Sequence, residues 1–128
     1  NLRKEFKMNF PTAIKKCITQ RYLTMSGRAS RSEYWYFYLF FILTSLLCTM
    51  IGGVFSETAS DIIGAICYIV LGIPCFTASS RRLHDIDKSA WFLLLTLIPI
   101  VGAIILIILF CKKGTDGLNR FGNDPLSE

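Results

Sequence analysis

Any chemistry this chain performs must come from three polar clusters. The richest is Arg81-Arg82-Leu83-His84-Asp85, followed closely by Asp87-Lys88-Ser89. A histidine beside an aspartate is the raw material of a general base with an orienting carboxylate. On a helix, however, positions i and i+1 do not face each other. His84 is the single histidine, and no nucleophile stands in a recognisable elbow. Arg81, His84 and Asp85 would share a face through their three- and four-residue spacing if a helix runs through them. The cluster therefore reads as an arginine-rich membrane anchor with an internal ion pair, closed by a cap at Asp87 or Ser89. No catalytic residue is assigned.

The second cluster holds Arg28, Arg31 and Glu33. Two readings stay open: Glu33 pairs with an arginine of the first cluster, or the arginines meet lipid phosphates. In the second reading Arg21, Arg28, Arg31, Arg81 and Arg82 form a basic patch for anionic phospholipid headgroups. The third cluster, Gly114 to Pro125, is rich in Gly, Asn and Asp, residues suited to turns. There Asn119, Arg120, Phe121 and Asp124 are expected to form a tight turn that docks Phe121 on the rest of the molecule. Asp116-Gly117-Leu118-Asn119 has pieces of a calcium loop but lacks its alternating ligands and terminal Glu. The five cysteines show no CxxC spacing, and no phosphate-cradling glycine loop occurs. No metal and no cofactor is expected, and nothing points to nucleic acid.

The elements that must hold these clusters are apolar. Residues 34–55, 62–80 and 89–111 contain no Asp, Glu, Lys, Arg or His. At about 1.5 Å per residue each would be roughly 28 to 35 Å long as a helix, enough to cross a hydrocarbon core of about 30 Å. They are apolar all round, whereas a soluble surface helix keeps a polar face. The expected fold is all-α: an integral membrane bundle of three transmembrane helices. A basic cytoplasmic arm (1–33) precedes the membrane domain (34–111), and a polar tail (112–128) follows it. The first run is too long for the apolar core of a signal peptide and reads as a retained span. Residues 1–7 read as a segment upstream of a start at Met8. Within the arm, Ala13, Ile14, Cys17, Ile18, Tyr22 and Met25 recur at helical spacing after Pro11. This predicts an amphipathic helix lying in the headgroup plane; the competing reading packs it on the end of the bundle.

Within the spans, Ser45, Cys48 and Gly52 follow one helical face, as do Ser60, Gly64, Cys67 and Cys75 on the next. Small faces let helix backbones approach, so the first two spans should pair as a hairpin. Pro74 and Pro99 should kink their helices. Tyr34, Trp35, Tyr36, Tyr38, Trp91 and Phe92 crowd span edges, where amphipathic rings mark membrane depth. With three crossings the arm and the 81–88 connection share a side, with eleven of the 14 basic residues. Lys112, Lys113 and Arg120 fall on the other. The positive-inside rule then places the N-terminus in the cytoplasm and the tail in the periplasm. The alternative breaks the third run at Pro99–Gly102 into a re-entrant hairpin and puts all 14 on one side. Such a turn must be buried in protein, which favours three crossings.

The patterns G-R-A-x-R-x-E-Y-W from Gly27, R-R-L-H-D from Arg81, S-A-W from Ser89 and G-T-x-G-x-N-R-F-G-x-D-P from Gly114 occur in this order around the runs. Together they resemble the small bacterial inner-membrane proteins of the YhaH/YhaI type, domain-of-unknown-function family number 805. The resemblance covers Met8 to Pro125, with Asn123 where a proline is expected. It implies the bacterial inner membrane and supplies no catalytic residues. The expected function is a non-enzymatic membrane component that binds anionic lipid, and a membrane partner or another copy of itself. The competing classes are a subunit of an oligomeric transporter or channel, lined by residues such as Ser45 and Thr49, and a membrane-embedded enzyme acting on lipid through His84 and Asp85.

Overall fold

The computed structural model describes residues 8–126, so residues 1–7 and their expected role lie outside it. Among the described residues every regular element is a helix, and the bridge between Asn119 and Gly122 is isolated. Helix α1, Phe10–Lys15, starts at Asn9, whose side chain accepts the Thr12 amide, and runs on into a π-helical turn, Lys16–Gln20. Ala13 and Cys17 are fully buried, and Ile14 and Ile18 pack on the core. The expected apolar face exists and is turned onto the end of the bundle, although Met25 remains exposed.

Helix α2, Arg31–Phe55, and helix α3, Glu57–Asp85, are the long elements, about 37 and 43 Å at the standard rise. Both are long and apolar enough to cross a membrane. A single residue, Ser56, separates them, and its hydroxyl caps α3 by accepting the Ala59 amide. The expected hairpin is present. A Cβ on Gly52 would lie 2.5 Å from the Ser60 Cα, and one on Gly64 would lie 2.9 Å from a Thr49 methyl. Ser60 Oγ donates to the Thr49 carbonyl at 2.9 Å across the pair. The last turn of α3, Arg81–Asp85, projects beyond the apolar stretch 62–80 and is buried by what packs around it. Pro74 cannot donate to the carbonyl of Val70, four residues back. The Tyr22 hydroxyl donates to that carbonyl instead, at 2.5 Å.

The third run does not form one helix. It divides into a 3-10 leg, Ala90–Leu97, and helix α4, Val101–Cys111. At about 2.0 and 1.5 Å per residue both legs are about 16 Å long, half a hydrocarbon core. At the tip Ile100 takes φ 64°, and the Val101 amide donates to the Pro99 carbonyl at 2.7 Å, closing a γ-turn. Gly102 lets the legs touch, because a Cβ there would lie 1.6 Å from the Leu95 carbonyl oxygen. The expectation of a full third crossing is thus corrected. Pro99 withholds an amide, and Gly102 admits the returning chain where a larger residue could not.

Both ends of the hairpin lie at the C-terminal end of α3. The tail follows, with the Thr115 amide donating to the Asp85 carbonyl at 2.7 Å and the Asn119 side chain to the His84 carbonyl at 3.0 Å. Arm, connection and tail thus meet at one end of the molecule, whereas the sequence reading set the tail apart from the arm.

Candidate functional site

Two buried ion-pair centres sit at this common end, side by side on the last turn of α3. In the first, Arg81 Nη1 lies 2.6 Å from Glu33 Oε1, with both side chains fully buried. Glu33 stands in the first turn of α2, after the Ser30 cap. Arg81 Nε donates to the Thr24 carbonyl at 3.1 Å. Cys17 Sγ lies 3.9 Å from both Glu33 and Arg81, and Lys16 Nζ is 3.7 Å from Glu33 Oε2. Burial pushes the Cys17 thiol up to about 11, so it stays protonated at neutral pH. This centre pins α1 and its π turn to both long helices.

In the second centre Asp85 is shared. Its Oδ1 is 2.9 Å from Arg28 and its Oδ2 is 2.8 Å from Arg82. Arg28 also donates to the carbonyls of Gly117, Gly122 and Thr115, at 2.6, 3.2 and 2.5 Å. Arg82 donates to the carbonyls of Phe110, at 3.0 Å, and Ala29, at 3.4 Å, and to that of Lys112. Phe110 and Lys112 flank the end of α4, whose last carbonyls have no partner within the helix. Arg82 therefore ties the root of the hairpin to α3, and Arg28 ties the tail to it. Gly114 passes so close that a Cβ would lie 2.0 Å from Asp85 Oδ2.

His84 faces away from its neighbour Asp85. Its Nδ1 is 2.9 Å from the Gly27 carbonyl, and its ring stacks on Phe121 with centroids 4.0 Å apart and planes 4° from parallel. Burial holds its pKa below the usual imidazole value, and Arg120 and Arg81 act the same way against the Gly27 bond. Arg120 lies 4.7 Å over Phe121 and pairs with Asp87 at 3.2 Å. The Asn119–Gly122 turn is closed by reciprocal backbone bonds of 3.1 Å, and Asp124 accepts the Gly117 amide at 3.1 Å. Asn119, Arg120, Phe121 and Asp124 thus belong to one turn-rich segment, and Phe121 stacks on His84. Asp87 does not cap by its side chain. It adopts φ 59° after the helix while Lys88 donates to the Leu83 carbonyl, and Ser89 caps the 3-10 leg.

All of Arg28, Glu33, Arg81, Arg82, His84 and Asp85 are brought together; Arg31 is not. It points outward, with Nη1 3.4 Å from the Cys111 carbonyl. The expectation that Arg28, Arg81 and Arg82 face lipid phosphates is corrected, because their guanidinium groups are buried on carboxylates and backbone carbonyls. A His84–Asp85 dyad is absent, since Asp85 offers its oxygens to two arginines and His84 its Nδ1 to Gly27. Sequence reasoning missed Lys16 and Cys17 as partners of Glu33, and Gly114 as the residue that clears Asp85. The spacing Ser30-x-x-Glu33 is that of a capping box, a signal that could have placed Glu33 at the start of a helix. The Glu33 carboxylate turns from that capping role to Arg81. Tyr34 and Trp35 were expected to mark depth. Instead Tyr34 packs on Phe110 at 4.6 Å, and the Trp35 indole donates to the Phe110 carbonyl at 3.3 Å.

The model of a family described as protein of unknown function (DUF805) matches residues 22–123. The chain is 38% identical over 118 residues to the inner membrane protein YhaH of Escherichia coli strain K12, covering 87% of this chain and 94% of the relative. It is 33% identical over 108 residues to the inner membrane protein YhaI of the same strain, covering 84% and 91%. No solved structure matches.

Proposed function

The chain belongs to the DUF805 family of inner-membrane proteins of unknown function, and from that premise we propose that it is a non-enzymatic membrane component that binds anionic phospholipid at the root of its hairpin. The observation that carries this reading is the division of its cations. Arg28, Arg81 and Arg82 are sealed inside the ion-pair centres, whereas Arg31, Lys112 and Lys113 are exposed together around Cys111. Lys113 has an exposed partner in Asp116 at 3.3 Å, a pair that solvent screens. Basic residues at the edge of an anionic leaflet contribute about 1 kcal/mol each, so three of them enrich acidic lipid by roughly tenfold or more. In this reading the arm, the connection and the tail all lie in the cytoplasm, two helices cross the inner membrane, and α1 rests on the bundle end at headgroup level.

The transport reading has less support. Thr49 donates its hydroxyl to the carbonyls of its own helix, and Ser45 lies 4.0 Å from Cys67, within the α2–α3 contact. To test lipid binding, the protein is placed in nanodiscs containing phosphatidylethanolamine and a minor fraction of cardiolipin, and the lipid retained on extraction is weighed by native mass spectrometry. Cardiolipin should be enriched on the wild type and lose at least most of that enrichment in Arg31→Ala/Lys112→Ala/Lys113→Ala. Equal retention by the two proteins would remove the proposal.

A further inference from the structure

A cavity of about 400 Å³ lies between the last turns of α3 and the 3-10 leg, away from the outer cations. Its walls are apolar, from Met25, Phe76, Leu94 and Leu97, and its polar groups include His84 and Ser89. His84 is nine-tenths buried here. A backbone carbonyl only accepts, so the 2.9 Å bond to Gly27 requires the proton on Nδ1. In the neutral ring Nε2 is then an acceptor, and no group among the described residues bonds to it. The oxygen of Ser89 receives the Trp91 amide at 3.2 Å, which leaves its hydroxyl hydrogen to donate. The apolar walls thus carry an acceptor on His84 and a donor on Ser89, while the Thr96 hydroxyl hydrogen is given to the Leu93 carbonyl at 2.9 Å.

We propose that this cavity binds the uncharged hydroxyl head of a long-chain amphiphile, a molecule of the long-chain alcohol or acylglycerol class. The alkyl chain lies against Phe76, Leu94 and Leu97, the hydroxyl donates to His84 Nε2, and its oxygen accepts from Ser89. An ionised carboxylate or phosphate diester offers acceptors alone and leaves Nε2 facing a lone pair. An alkane fills the walls and leaves the His84 and Ser89 groups unanswered, which costs affinity relative to an alcohol that answers both. The site is separate from the outer cations, so it stands or falls independently of the proposed anionic-lipid binding.

The single histidine provides an unambiguous probe. The whole protein, labelled with ¹⁵N-histidine, is held in dodecylphosphocholine micelles, a detergent without hydroxyl groups, and titrated with 1-dodecanol, dodecane or dodecanoate. The proposal expects a saturable upfield shift of the unprotonated Nε2 resonance with dodecanol and none with dodecane or dodecanoate. Leu94→Trp, which fills the chamber from the hairpin side, should abolish the shift while the resonance itself persists. A wild-type resonance unmoved by dodecanol, one moved equally by dodecane, or the same shift in Leu94→Trp would each overturn it.

Discussion

Among single residues Asp85 concentrates the most structure, because two buried guanidinium groups and the tail depend on one carboxylate. Asp85→Asn keeps the shape and removes the charge, leaving Arg28 and Arg82 buried without a counter-ion. Breaking a buried pair from one side costs about 3–5 kcal/mol, whereas an exposed pair such as Lys113–Asp116 is worth about 1 kcal/mol at most. Thermal unfolding in detergent should therefore show a large loss for Asp85→Asn and almost none for Lys113→Ala; comparable shifts would mean that the centre is not the clamp described. His84 adds a pH dependence of definite sign. Its pKa is depressed in the folded state, so its contribution is complete above the ordinary value near 6.5 and is lost as pH falls through the depressed one. Between pH 7 and 5 the wild type should lose more stability than His84→Phe, which keeps a ring on Phe121. Membership of the charged clusters was legible, because Arg28, Glu33, Arg81 and Asp85 flank apolar runs and buried charge needs a partner. Which arginine takes which carboxylate was not. That choice depends on backbone carbonyls from 110 to 122, which no residue type advertises.

At the level of elements, close approach decides the architecture, and two glycines measure it. Gly52 faces backbone at 2.5 Å, while Gly64 faces only a Thr49 methyl at 2.9 Å, and a side chain can turn aside. Gly52→Ala should accordingly destabilise the α2–α3 hairpin more than Gly64→Ala, an ordering that detergent unfolding of the two variants can refute. Gly102 makes a stronger demand, since the Leu95 carbonyl occupies the space of any side chain there. Gly102→Val should open the hairpin and expose the tail to protease; unchanged protection would show that the legs do not touch. The α2–α3 pair was readable from Ser45, Gly52, Ser60 and Gly64 because small residues at helical spacing have few other uses in a membrane. The fold-back was visible only as Pro99 and Gly102. By length and hydropathy alone, residues 89–111 equal a full span, and the information that separates the cases lies in the clamp at the hairpin's root.

Over the whole molecule, the clamp converts local chemistry into topology. Arg82 holds the carbonyls of Ala29, Phe110 and Lys112 together, and Arg28 holds those of Thr115, Gly117 and Gly122. In the proposed topology a tail held by residues of the arm shares its side of the membrane, since two crossings return the chain to where it began. In that topology the eleven basic residues among the described ones lie on one face, and the α2–α3 turn on the other carries Glu57 and Asp61. In the proposed topology that face is the cytoplasmic one, because positive residues are retained there. A fluorescent reporter fused after Glu128 should therefore fold and fluoresce, and alkaline phosphatase at the same position should be inactive. Phosphatase inserted at Ser56, in the turn between the two crossings, should be active. Arg28→Ala/Arg82→Ala releases tail and hairpin from the clamp together, and active phosphatase after Glu128 in that variant alone would show that the buried arginines hold the third run back from crossing. Active phosphatase there in the wild type would instead restore three full spans and refute the fold-back in the membrane.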